Sequence, residues 1–262
     1  MGRAEQAFFG HTLQFGKDRT GSTRGAVVET TFGDVWQEVL TTQPEPERWI
    51  VVGAAILALA AVLVGPTWRV LRNVVTIAHE GGHALVALLS GRQLTGIRLH
   101  SDTSGVTVSR GKPTGPGMIL TVFAGYVAPT VIGLLGILML RADRITALLW
   151  LSIVLLVLML IMIRNVYGVI SLVATGAVVF GISWYTTPEI QGAFAYAFIW
   201  FLLFAGVRPV FELQSQRRRQ PSPHSDADQL ARLTGLPGTF WVFVFALVNL
   251  AVTGLGVWLL LF

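Results

Sequence analysis

"TIAHEGGHALVALL", residues 76–89, decides how the rest of the chain is read, because it sets two histidines, a glutamate and two adjacent glycines in a run otherwise fit for lipid. Residues four apart share a face of an α-helix, so His79 and His83 can address one metal ion, and Glu80, about 100° further round, can reach a water beside it. Zinc suits two imidazoles, and a zinc site that does chemistry needs a third protein ligand and an open position. A charged side chain at the centre of a membrane helix costs roughly 2.5–3.5 kcal/mol on insertion scales, so such a cluster seldom persists without a use. Gly81 and Gly82 each weaken a helix by about 1 kcal/mol relative to Ala and make sense where a second backbone comes close. The plainer alternative makes both histidines polar packing groups bonded to neighbouring helices; inside an apolar span the metal reading is the stronger.

The surroundings are those of an integral membrane protein. Of 262 residues, 53% are hydrophobic and 13% charged, and the mean hydropathy is +0.65, too apolar for an ordinary soluble domain. Seven apolar stretches are candidate spans: 49–64, 68–89, 118–140, 146–163, 166–185, 190–207 and 240–262. The expected fold is all-α and polytopic, with six to seven transmembrane helices forming a domain over 49–262. Residues 1–48 hold no apolar core long enough for a cleavable signal and read as an extension that ends in the Pro- and Glu-rich linker "TTQPEPER". Without cysteine, a metal must be held by His, carboxylate or amide groups.

Charge placement sets an expected topology. With seven spans, the head and the loops 90–117, 164–165 and 208–238 share one face, which carries 15 of the 19 Lys/Arg, while the other holds Arg141 and Arg144, with Arg69 and Arg72 in the entry turns of the second span. The positive-inside rule then puts the N-terminus in the cytoplasm and the C-terminus outside. "QRRRQ" (216–220) reads as a topology signal that touches anionic lipid, in preference to nucleic acid.

"HEGGHA" (79–84), with glycine before the second histidine and the motif inside a span, resembles the site-2 protease family of intramembrane zinc metallopeptidases, in its compact B-type branch without a PDZ domain. "FAGYVAPTV" (123–131) is similar to the small-residue and proline segment of that family's next core helix, and "HSDADQLARLTGLP" (224–237) to a Ser-Asp-Ala element of its B-type members. The resemblance implies one zinc ion, a multi-pass protein of a bacterial plasma membrane, and substrates that are membrane-anchored proteins such as anti-sigma or transcription factors.

The family's usual third ligand, an aspartate in a Leu-Asp-Gly segment, has no counterpart here, and three positions compete for its place. Asn165 in "IRNVYG" offers only an amide, better suited to hydrogen-bonding a substrate carbonyl. Glu212 in "RPVFEL" can instead pair with Arg208 one turn back. Asp226 has the strongest family likeness and the ligand chemistry zinc prefers, yet Ser225 with Asp228 three residues on also reads as the capping box of a short helix ending at Gly235. His224 reads as an exposed loop residue, and His11 and His100 carry no role.

Between the second and third spans, Ile97, Leu99, Val106 and Val108 alternate with polar residues around an "SDTSG" turn, which predicts a cytoplasmic β-hairpin. It could add an extended substrate strand, as the resemblance implies, or only cap the membrane face. Glu80 is the expected general base, with His79, His83 and one of the three candidates on the metal. A metal-binding pseudo-protease and a small-solute or ion transporter are the readings from other classes; the second lacks paired broken helices and internal repeats.

Overall fold

The structure, a computed structural model, describes residues 32–219 and 225–262. His11, His224 and the head up to residue 31 therefore lie outside the described residues. The described chain is helical apart from one hairpin: α1 (Phe32–Leu40), α2 (Arg48–Leu63), α3 (Gly65–Leu89), β1 (Gln93–Leu99), β2 (Gly105–Arg110), α4 (Pro116–Leu140), α5 (Ile145–Met162), α6 (Val166–Tyr185), α7 (Pro188–Arg219), α8 (Asp226–Thr234) and α9 (Gly238–Leu261).

All seven apolar stretches are helical, but they do not make seven spans. α4, α5, α6, α7 and α9 are each long and apolar enough to cross a membrane; α2 and α3 meet at 100° and together make at most one broken span or a re-entrant loop. The break has a local cause. Val64 is extended (φ −77°, ψ 119°) and Pro66 opens α3, so the hydrogen-bond ladder cannot run through. α2, with 16 residues, covers only about 24 Å.

This bend removes at least one of the seven expected crossings. Arg48 donates to the Leu261 carbonyl at 3.1 Å, Gln43 N–H donates to Asp143 O at 2.9 Å, and Arg144 donates to Leu40 O at 2.6 Å. The described part of the head thus sits beside the C-terminus and the α4–α5 turn, whereas the seven-span count expects head and C-terminus on opposite faces.

Three packed clusters hold the fold. The largest joins α2, α4, α5 and α7 through residues such as Val51, Ile137, Leu149 and Trp200. A second, around Val122, Val210, Leu213 and Phe245, receives Ala227 and Leu230 of α8. The third seats the hairpin: Ile97 and Leu99 pack with Ile77, Ala84, Ile163 and Leu172. Gly82 lets α3 and α4 pack closely, since a Cβ there would lie 2.3 Å from Ala128 Cβ; Gly81 is not so constrained, the nearest atom to a Cβ there being Met159 Sδ at 3.9 Å. Exposed apolar residues on α5, α6 and α9, such as Leu155, Ile170 and Leu250, are disposed to meet lipid.

The strands pair antiparallel with Ile97 opposite Thr107, Leu99 opposite Gly105 and Arg98 opposite Val106. The alternation read from sequence is therefore present, but the apolar residues of the two strands fall on opposite faces: Ile97 and Leu99 are buried, whereas Val106 and Val108 are about half exposed. Gly105, Thr107 and Ser109 are the partly buried residues of β2, alternating with exposed Val106, Val108 and Arg110.

Candidate metal centre

His79 and His83 lie one turn apart on α3, with ring centroids 4.6 Å apart and planes nearly perpendicular. Their Nε2 atoms are 3.0 Å apart, and Asp226 Oδ2 lies 3.2 Å from that of His79 and 3.3 Å from that of His83. Donors bonded to one zinc at about 2.0–2.1 Å in a tetrahedron are separated by about 3.3 Å, so this triangle has the size of one tetrahedral face. His83 Nδ1–H donates to the Thr121 carbonyl at 2.7 Å, which fixes the tautomer and leaves the Nε2 lone pair free. His79 is braced edge-on by Tyr126, itself stacked on Phe245.

The surroundings leave room for an ion there. Gly125 faces the pair, and a Cβ at that position would fall 2.3 Å from His83 Nε2 and 2.7 Å from His79 Cε1. Asp226 Oδ2 is buried with no hydrogen bond of its own. Two imidazoles, an orphaned carboxylate oxygen and a space that only glycine leaves open fit a zinc ion.

Glu80 is buried beside the two histidines, 3% exposed. A ligand atom of His79, of Glu80 and of His83 all lie within 4.8 Å of one another. Its Oε2 accepts from Thr107 Oγ1 at 2.6 Å. A cavity of ≈ 410 Å³ opens beside the cluster, walled by α3 (Arg72, Thr76, His79, Glu80), the hairpin turn (Asp102 to Gly105), Tyr126 and Asp226. Thr76 Oγ1 donates to the Thr103 carbonyl at 2.8 Å, pinning the turn to α3.

Of the three candidates for a third ligand, the structure brings only Asp226 to the histidines. The capping arrangement is present as well: Ser225 Oγ donates to Asp228 Oδ2 at 2.6 Å and accepts from Asp228 N–H at 3.3 Å, and Gly235 closes α8 at φ +76°. The two readings are compatible because Ser225 and Asp228 make the cap while Asp226 turns inward. Glu212 is held elsewhere, by Arg208 at 3.0 Å, Arg72 at 3.5 Å and Trp68 Nε1–H at 2.9 Å.

Asn165, expected beside the substrate carbonyl, is not among the residues that line the cavity. Its Nδ2 donates to Leu99 O at 2.6 Å and its Oδ1 accepts from Leu99 N–H at 3.2 Å, so the amide is spent as a mimic of a neighbouring strand. Ile163 bridges Ile97 in parallel and Arg164 N–H donates to Ile97 O at 2.9 Å, completing that edge of β1. Sequence reasoning missed Gly125, Thr121, Thr107 and Tyr126. Only Gly125 carried a signal, a glycine in the small-residue segment 123–131.

The fold and the site together define a multi-pass membrane protein in which two imidazoles and a carboxylate converge beside a buried glutamate. The family model described as Peptidase M50B-like matches residues 52–256, and the chain belongs to that family, in keeping with the site-2 protease likeness of "HEGGHA". No curated protein and no solved structure is matched.

Proposed function

We propose that the protein is an intramembrane zinc metallopeptidase that hydrolyses peptide bonds of membrane-anchored proteins. The observation that carries this reading is the triangle of His79, His83 and Asp226, with sides of 3.0–3.3 Å, next to the buried Glu80. Zinc held by these three residues would supply Lewis acidity and an activated water for attack on the peptide carbonyl. Glu80 takes the proton of the attacking water and returns it to the leaving amine. Thr121 holds His83 in the tautomer that binds metal, and the cavity between α3 and the hairpin turn admits water and the unwound substrate.

The substrate meets β2. The partner side of β1 is taken by Ile163–Asn165, so an extended segment adds to the outer edge of β2, supported by main-chain hydrogen bonds. The hairpin end, with Arg92, Arg98, Arg110, Lys112 and Arg164, faces the cytoplasm by the positive-inside rule, and Arg218 and Arg219, both exposed, meet anionic lipid. The described end of the head then lies on the far side, together with the C-terminus.

The test is Glu80→Gln in the purified full chain, assayed on a single-span substrate with and without a chelator. The variant keeps its zinc and loses cleavage by about 10²–10⁴-fold, the usual worth of a general base. Cleavage at the wild-type rate by Glu80→Gln, or by chelated wild-type protein, would sink the reading, and bound zinc with no cleavage of any single-span substrate would mark a pseudo-protease.

A further inference from the structure

β2 meets α3 at Glu80. Thr107 Oγ1 lies 2.6 Å from Glu80 Oε2 and 3.2 Å from the Glu80 carbonyl. One hydroxyl proton serves one acceptor well, and the shorter contact to a carboxylate has the length of a charge-assisted hydrogen bond. The other carboxylate oxygen, Oε1, rests against Gly105, where a Cβ would come within 2.5 Å of it. The Glu80 side chain is therefore confined between a donor and a bare backbone two residues apart on one strand. It is 3% exposed, so bulk solvent has little access to this arrangement.

We propose that Thr107 is a positioning residue for Glu80: its hydroxyl occupies Oε2, and Oε1 is left as the oxygen that accepts and returns the proton. Gly105 makes the space in which Oε1 works. The inference rests on Glu80 acting as the base of the proposed peptidase, and it adds a consequence for the hairpin. The strand that offers its outer edge to substrate also sets the rotamer of the base, so docking and chemistry share one rigid element. β2 is in turn fixed to β1, whose Ile97 and Leu99 are buried against α3, and the register Ile97–Thr107 carries that rigidity to the hydroxyl.

The experiment compares Thr107→Val, which keeps the β-branched shape and removes the donor, with Thr107→Ser, which keeps the donor. In the purified full chain, Thr107→Val lowers kcat by about tenfold or more with KM and zinc content unchanged, and Thr107→Ser recovers most of the rate. Wild-type kcat in Thr107→Val, or a Thr107→Ser variant as slow as Thr107→Val, overturns the proposal. A second measurement reads the contact without cleavage: the infrared carboxylate band of Glu80, isolated as the difference between wild type and Glu80→Gln, shifts in Thr107→Val and returns in Thr107→Ser. An unmoved band overturns the proposal too. Should wild type and Glu80→Gln prove equally active, the peptidase reading fails on its own terms and the infrared result alone decides whether Thr107 holds the carboxylate.

Discussion

α3 and α8 deliver donors to the same point by different means. α3 is a 25-residue helix whose two histidines are fixed relative to each other by the helical repeat and whose Gly82 lies hard against α4. α8 has nine residues, too few to hold a helix alone in water. It exists because Ser225 caps it, Gly235 ends it, Ala227 and Leu230 are fully buried against α4, α7 and α9, and Asp228 pairs with Arg217 of α7. Two donors are thus part of the membrane fold, and the third is carried on a docked extramembrane element. Damage to α3 should act on the site directly, whereas damage to α8 should act through its docking.

The contrast can be broken or sharpened by a graded series. His83→Ala is expected to have the largest effect, loss of both bound zinc and cleavage with the helical circular dichroism retained; zinc held at wild-type stoichiometry would remove α3 from the site. Gly125→Ala comes next, since the added methyl occupies the space between the imidazoles; metal analysis should find the site empty, and normal zinc content would show that the pocket can yield. Asp226→Ala should weaken zinc by more than the roughly 10–100-fold typical of groups that only support a ligand. Competitive chelator titration measures this, and a smaller change would return Asp226 to a capping role alone.

Arg217→Gln leaves all donors intact and loosens α8, so a drop in zinc affinity of about tenfold, with faster proteolysis within 225–235, is expected. The double reversal Arg217→Asp with Asp228→Arg should recover part of it; no recovery would mean that the pair does not hold α8. Ser225→Ala has the smallest expected effect, about 1 kcal/mol of α8 stability. It should appear as a modest rise in proteolytic nicking of α8 with cleavage activity nearly kept.

How much of this could be read from the chain follows from the range of each interaction. His79, Glu80 and His83 were legible because helical spacing alone brings them together, and the Arg208–Glu212 pair for the same reason. The hairpin and the capping box of α8 were legible as local patterns. Asp226 was recognisable in residue type, but its approach to α3 depends on how α8 packs on helices far away in sequence. Asn165 and Thr107 owe their roles to partners 66 and 27 residues distant, which no periodicity reports. Seven apolar stretches give at most six spans among the described residues, because hydropathy measures length and polarity and is blind to a 100° turn between two helices.

The strand mimicry of Asn165 has a consequence beyond the site. A two-stranded sheet free on both sides would be an adhesive ribbon, able to pass its hydrogen-bonding pattern from one molecule to the next without end. Because Ile163–Asn165 takes up the flank of β1 along Ile97–Leu99, the sheet keeps only the outer edge of β2 without a strand beside it among the described residues. An amide 66 residues away thereby removes one of the two edges along which such a ribbon could grow.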